Sequence, residues 1–376
     1  MDIQPFKFGV ATSGEHFTDR REDTQRLASN FKHGINTILI SPRRWGKTSL
    51  VKKTIKEVSG HELRVIFLDI FACRTESDFC NAYATAVLQQ TATRWEEILR
   101  NAKEFLSRIS PKFALGTDPT MEISLSLDIR GTEEAIEDVL ELPEKIAKKN
   151  NCRIVVCIDE FQQLGEFTDS LTFQKKLRSV WQHQKHVSYC LFGSKRHLMG
   201  ELFGSRSNPF YKFGEVIYLS KIGTSDWVTY ICERFASTGK SISPALAEEI
   251  ALRVDNHSSY VQQLSWLVWS RADSVATASD IEQAESDLIS QNSPLFEKQT
   301  EDLTGYQLSF LRAITDGVHG SFTSQEVIDK YGLSSSANAN SVRNALIKKE
   351  LIETTEGQTY MTDPVMALWM KKSLFG

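Results

Sequence analysis

The stretch Ile35-Asn36-Thr37-Ile38-Leu39-Ile40-Ser41-Pro42-Arg43-Arg44-Trp45-Gly46-Lys47-Thr48-Ser49-Leu50 limits what this chain can fold into more than any other. An apolar run, a turn and the start of a helical pattern follow one another, which is the order a phosphate-binding loop requires. Polyphosphate has to be wrapped by backbone N–H groups at a helix N-terminus, where unsatisfied donors and the helix dipole both favour an anion. Ser41, Pro42, Arg43, Arg44, Trp45, Gly46, Lys47, Thr48 and Ser49 are therefore the expected cradle. Lys47 is expected to reach the β- and γ-phosphates, and the Thr48 hydroxyl to ligate Mg²⁺. The usual pattern G-x-x-x-x-G-K-[ST] begins with glycine, and Ser41 stands at that position. Serine adopts positive φ only at a cost, so this departure bears on how the loop is built. The alternative reading is a plain strand-to-helix turn with a surface lysine.

The partner of such a loop is an acid at the end of a neighbouring buried strand. Arg153-Ile154-Val155-Val156-Cys157-Ile158-Asp159-Glu160-Phe161-Gln162 supplies one. Asp159 is placed to hold Mg²⁺ directly or through water, and Glu160 to polarise an attacking water as general base. Acids after a strand are common on surfaces, but parallel α/β sheets gather such residues along one edge, which joins these two to the phosphate loop. A further strand, Val187 to Gly193, ends in Ser194, where a γ-phosphate-sensing side chain is expected. Ser194 serves equally well as a cap for a helix beginning near Lys195. In the loop that follows, Arg206 is the foremost candidate for reaching a phosphate of a neighbouring subunit, with Lys212 second, and a solvated loop arginine is the alternative.

The remaining pattern is an alternation of strands and helices. Leu27 and Phe31 mark a helix before the loop, and Leu50, Val51, Ile55 and Val58 one after it, stopping at Gly60. Leu63 to Asp69 is a second buried strand, Ser77 to Leu106 a long helical stretch, Thr132 to Lys149 another helix, and Gly214 to Leu219 a last core strand. Residues 107–131 interrupt the alternation. Within them Met121, Ile123, Leu125, Leu127 and Ile129 alternate with Glu122, Ser124, Ser126 and Asp128, the period of a strand in an edge or hairpin insertion. From about Thr224 the strands cease, and 224–292 reads as several helices until Asn292-Ser293-Pro294 breaks them. Three domains are expected: 1–222 a P-loop nucleotide-binding core, 223–300 a helical lid, and 301–376 a small C-terminal domain.

That last domain reads as helix, helix, helix and hairpin, the winged-helix arrangement, with Ser334 to Lys349 as recognition helix. Asn338, Asn340, Arg343, Asn344, Lys348 and Lys349 are its candidate contacts to double-stranded DNA. Across 304–376 the basic residues Arg312, Lys330, Arg343, Lys348, Lys349, Lys371 and Lys372 are matched one for one by Asp316, Glu326, Asp329, Glu350, Glu353, Glu356 and Asp363. A neutral domain suits protein docking as well as DNA, so both remain open. The whole chain carries a net charge of −4, which rules out a global basic field. Its six cysteines show no C-x-x-C pair and no metal-ligand spacing with histidine, so reduced thiols are expected. A start without signal-peptide regions and the lack of an apolar run near 20 residues point to a cytoplasmic protein without a membrane partner.

Phe17-x-x-Arg20-x-Glu22, the loop Ser41 to Leu50, Ile158-Asp159-Glu160-Phe161-Gln162 and Tyr360-Met361-Thr362-Asp363-Pro364 with Leu368-Trp369 together resemble the archaeal-type ATPase family. That family is placed in the STAND class of AAA+-related P-loop NTPases, near the origin-recognition ATPases. The resemblance covers nearly the whole chain and implies a five-stranded parallel sheet, an all-α lid and a C-terminal winged helix. It also implies that Arg20 and Glu22 flank the nucleotide, and it repeats the roles of Lys47, Thr48, Asp159, Glu160 and Ser194. Relatives often carry Gly-His-Pro-x-Tyr in the lid where this chain has Asn256-His257-Ser258-Ser259-Tyr260, and arginine where Lys212 follows Tyr211. The expected activity is Mg²⁺-dependent ATP hydrolysis with ATP and ADP as ligands. The expected role is a nucleotide switch that positions the winged helix for DNA, a protein partner or a second copy of the chain. The alternative is a DNA-binding regulator or interaction scaffold in which nucleotide is structural and hydrolysis negligible.

Overall fold

A computed structural model describes residues 4–9, 18, 20–92, 95–106, 110–115, 123–128 and 133–376. Phe17, Met121, Glu122, Ile129 and Thr132 lie outside the described residues. The chain forms two compact units, one of Arg20–Ser220 and one of Met1–Asp19 with Lys221–Gly376.

In the first unit α1 (Arg21–His33), β1 (Thr37–Ile40), α2 (Lys47–Val58), β2 (Leu63–Asp69), α3 (Glu76–Thr91) and α4 (Trp95–Phe105) are followed by β3 (Ser110–Leu115) and β4 (Ile123–Asp128). Then come α5 (Glu133–Lys149), β5 (Arg153–Asp159), a 3₁₀ turn (Phe161–Glu166), α6 (Ser170–Trp181), β6 (Val187–Gly193), α7 (Arg196–Gly204) and β7 (Glu215–Tyr218). Five strands form one sheet in the order β2-β5-β6-β1-β7, and every pair is parallel.

Strand periodicity decides which residues meet. Ile66 and Leu68 of β2, Ile154, Val156 and Ile158 of β5, and Tyr189 and Leu191 of β6 point into one aromatic-rich core with α3, α5 and α6. Alternate residues therefore face the other side of the sheet. On that side Phe67 approaches Phe192 with ring centroids 6.1 Å apart, and Lys52 of α2 lies 5.1 Å from the Phe67 ring centre. Asp159 and Ser194 share this parity, so both are delivered to the α2 face at the C-terminal edge of the sheet.

Two features of the unit refine the sequence reading. The helical stretch expected over Ser77 to Leu106 is two helices: α3 starts at a capping box of Thr75 and Asp78, and its end is turned by Ala92, whose backbone is extended at φ −102°. The insertion is a separate antiparallel hairpin, with Ser110 opposite Asp128 and Leu115 opposite Ile123.

The second unit holds α8 (Thr224–Ala236), α9 (Pro244–Arg253), α10 (Ser258–Arg271), α11 (Ala278–Glu301), α12 (Gly305–Thr315), α13 (Gln325–Tyr331) and α14 (Ser336–Lys348). It ends with the hairpin β8 (Ile352–Thr355) and β9 (Gln358–Met361), α15 (Pro364–Trp369) and a π turn (Met370–Leu374). Glu356 at φ 53° and Gly357 at φ 80° form the two-residue turn whose twist matches paired strands. One continuous core runs from the helices through the winged helix, and residues 221–376 fall in one compact unit. It also takes in Phe6, whose ring meets Tyr230 and Phe235 at 6.1 and 5.8 Å. Phe6, assigned to the core domain on sequence, thus packs with the second unit.

Asn292-Ser293-Pro294 does not break the helices: α11 runs through it. Proline cannot donate to the carbonyl four residues back, and such a gap normally ends or kinks a helix. Here the packing beyond it outweighs that cost, because Phe296 is fully buried and its ring lies 5.8 Å from Trp369.

The same helix carries a buried acid. Glu285 is bonded by Arg253 of α9 at 2.9 Å and by Lys372 of the π turn at 2.5 Å. Burial alone would raise its pKa, but these hydrogen bonds and charges outweigh burial and hold it below the ordinary carboxylate value of 4.5. A carboxylate held down in the folded state stabilises above the unfolded pKa, and the contribution is lost as pH falls through the folded one. Glu285→Gln is accordingly expected to cost about 2 kcal/mol at pH 7, the scale of a charge-assisted bond lost from a buried site. Chemical denaturation at pH 7 and pH 4 checks this: the wild-type advantage should shrink at the lower pH.

Candidate nucleotide site

The residues singled out around Lys47 converge. Gly46, at φ 91°, caps α2, and Arg44, at φ 63°, is the other left-handed residue of the loop. Ser41 keeps a negative φ, is 1% exposed and turns its hydroxyl to the Pro42 carbonyl at 3.1 Å. The glycine absent from the first position is therefore not needed for the backbone path, because the positive angles fall at Arg44 and Gly46. Arg20 supports the loop from behind, donating to the Trp45 carbonyl at 3.0 Å and to the Ser220 carbonyl at 2.5 Å.

Lys47 is buried, and its Nζ donates to the Ser41 and Pro42 carbonyls at 3.4 and 3.2 Å. Burial lowers its pKa, an effect that the charges of Asp159 and Glu160 only partly offset. The ammonium is thus short of negative charge. A polyphosphate supplies it.

Thr48 Oγ1 donates to Asp159 Oδ2 at 2.8 Å. Burial pushes the Asp159 carboxyl up to about 6, against the Thr48 hydroxyl and the Glu160 backbone N–H that favour its charged form. A hydroxyl and a carboxylate side by side are hard oxygen donors, which suit Mg²⁺ completed by water and phosphate oxygens. No group of three or more His, Cys, Asp or Glu placed to hold a metal ion occurs among the described residues.

Glu160 sits at φ 54°, ψ 38°, a left-handed turn at the strand's end. Its Oε2 accepts from Ser194 Oγ at 3.0 Å and from Gln162 Nε2. Ser194 also accepts from Arg43 Nε at 3.3 Å. The helix-capping alternative for Ser194 is not realised, since α7 begins after Lys195 and no side-chain cap is made. Gln162, quoted in the Ile158–Gln162 motif, was given no role on sequence. Its signal was position alone, two residues beyond an acid in a turn that brings the side chain back. Gly193 makes room for it, as a Cβ there would run into Gln162 Oε1.

Arg206 does not join this cluster. It is exposed on the loop after α7, and Lys212 places its Nζ 5.6 Å from the Tyr211 ring centre. On the second unit, Asn340, Asn344, Lys348 and Lys349 are exposed along α14 and Arg343 is half-buried, while Asn338 is committed to the Leu333 carbonyl at 2.9 Å. Asp363 caps α15 through the Val365 and Met366 N–H groups and accepts from Tyr260 Oη at 2.6 Å, tying α10 to the end of the wing.

A five-stranded parallel sheet with its phosphate loop, acidic pair and polar strand tip on one edge, followed by a winged helix, defines a P-loop ATPase core of AAA+-like type with a C-terminal winged-helix domain. The chain belongs to the family described as an ATPase domain predominantly from Archaea, whose model matches residues 17–213. A probable winged helix domain is matched over 294–372. Among solved structures the fold is similar to the Walker-type ATPase PABY2304 of Pyrococcus abyssi, at 15% identity and a TM-score of 0.70, covering 98% of this chain and 99% of that one. It is also similar to the ORC2 protein of Aeropyrum pernix in its ADPNP–ADP complexes, at 15% identity and a TM-score of 0.59, covering 100% and 99%. No curated protein matches the chain. No helix among the described residues is long and apolar enough to cross a membrane.

Proposed function

We propose that the chain is an ATP-binding, slowly ATP-hydrolysing switch whose nucleotide state positions the winged helix for duplex DNA or a protein partner. The observation that supports it most is the junction of Lys47, Thr48 and Asp159 with Glu160 and Ser194 at one sheet edge. In this reading the loop N–H groups and Lys47 hold the β- and γ-phosphates, while Thr48 and Asp159 would hold Mg²⁺, which would supply neutralisation of phosphate charge. Glu160 takes a proton from a water whose oxygen adds to the γ-phosphorus as the bond to ADP breaks. Arg20 acts on the loop backbone rather than on nucleotide. The adenine nucleotides recorded for the Aeropyrum relative favour ATP and ADP as the ligands.

Slow turnover follows from the hydrogen bonds on Glu160. A carboxylate already occupied by Ser194 and Gln162 has to be partly released before it can accept from water. The same observation supports the second reading, a regulator with structural nucleotide. Steady-state ATP turnover with Mg²⁺, with and without duplex DNA at two salt concentrations, separates them. DNA-stimulated turnover that falls with salt supports coupling to DNA, turnover indifferent to DNA supports a protein partner, and none at all supports structural nucleotide. If DNA is the partner, Lys348→Ala with Lys349→Ala should weaken binding about equally across sequences and flatten the salt dependence by roughly 2 in log–log slope.

A further inference from the structure

The third residue of the phosphate loop reaches the catalytic edge of the sheet. Arg43 Nε donates to Ser194 Oγ at 3.3 Å, and Ser194 Oγ donates in turn to Glu160 Oε2 at 3.0 Å. One hydroxyl therefore stands between a loop cation and the acid that would activate water. Arg43 is exposed, and its two terminal nitrogens have no hydrogen-bond partner among the described residues. Its charge is also felt at Lys47, which it pushes further down. Two cations held this close repel each other until an anion lies between them.

We infer that Arg43 reads the terminal phosphate from within its own chain, so that this site distinguishes ATP from ADP without an arginine from a second copy. This rests on the ATPase reading above and names the residue that gates it. The β-phosphate belongs to the loop backbone and Lys47 at the start of α2, whereas Arg43 points along the loop to the tips of β5 and β6. A guanidinium there has a planar pair of N–H donors, which match two oxygens of one phosphate, where an ammonium offers a point charge. Engaging the terminal phosphate draws Arg43 from Ser194. The Ser194 hydroxyl, relieved of one partner, is then free to turn from Glu160 to phosphate, leaving the carboxylate to accept from water. With ADP bound nothing pulls Arg43 away, and Glu160 stays occupied. Arg43 thus acts as a positioning residue for Glu160 and a specificity residue for the third phosphate. Arg206, exposed and outside the cluster, has no part in this.

The test uses the full chain and compares Arg43→Ala and Arg43→Lys with the wild type. It measures equilibrium binding of fluorescent ADP and of ADPNP, ATP turnover over a range of protein concentrations, and thermal unfolding as a check on the fold. Arg43→Ala is expected to weaken ADPNP about 10- to 100-fold while leaving ADP within about twofold, because only the terminal-phosphate contact is lost. Turnover should fall about 100-fold or more, with the lysine variant intermediate in both readouts. Wild-type turnover per chain should not depend on protein concentration. Equal losses for ADP and ADPNP would make Arg43 a support of the loop and overturn the inference. So would unchanged turnover in Arg43→Ala, or turnover that rises steeply with protein concentration and needs Arg206. If Lys47→Ala is inactive while Arg43→Ala is not, the inference alone fails; if the wild type binds neither nucleotide, the ATPase reading fails with it.

Discussion

Lys47→Ala is expected to weaken ATP and ADP binding at least 100-fold and to bring turnover below detection. Lys47 is 6% exposed and its ammonium rests on the Ser41 and Pro42 carbonyls, partners worth much less to it than phosphate oxygens. Losing one or two charge-assisted bonds at roughly 1.5–3 kcal/mol each accounts for the factor. The fold should scarcely notice. Removing a buried cation relieves its desolvation but also leaves Asp159 and Glu160 less compensated, and the two effects oppose each other. A change in unfolding free energy within about 1 kcal/mol, beside the loss of nucleotide binding by calorimetry, is the expected pair of results. Retained binding with Lys47 removed would refute the phosphate-loop assignment.

Glu160→Gln is the second large effect, and it divides the two steps that Lys47→Ala merges. Glutamine keeps the length of the side chain and an oxygen that can accept from Ser194, but cannot take a proton from water at neutral pH. Turnover should fall about 100- to 1000-fold, within the range for a positioned general base, while ATP affinity stays within about threefold. Single-turnover kinetics beside equilibrium binding read both quantities. A parallel loss of affinity would mean that Glu160 organises the site, and full activity would move the role of base elsewhere.

Much of this site could be read from the chain because strands announce themselves locally. The apolar runs ending at Ile40, Asp159 and Ser194 each mark a strand tip, and parallel sheets bring such tips to one edge. Parity then settles which face Asp159 and Ser194 share. What could not be read are choices made by packing or by side chains meeting across distant sequence. Pro294 looks like a stop by local rules, and only the burial of Phe296 against Trp369 explains why α11 continues. Phe6 belongs with Tyr230 and Phe235, a pairing that no spacing encodes. Arg43 meets Ser194 across 151 residues of sequence, and the contact of Gln162 lies in a turn begun by a left-handed backbone at Glu160, a conformation rare enough outside glycine that composition does not suggest it.

The uninterrupted α11 has a mechanical meaning. At 1.5 Å per residue its 24 residues make a shaft about 36 Å long, reaching from the helices around Ile281 to the flank of the winged helix at Phe296. A shaft converts angle into distance: a tilt of about 10° at one end carries the other through roughly 6 Å, about one turn of an α-helix. Pro294 removes one rung near the far end, which makes that point the softest place to bend. The winged helix shares the core that packs along this shaft, so a tilt of α11 is carried into it rather than lost at a loose joint.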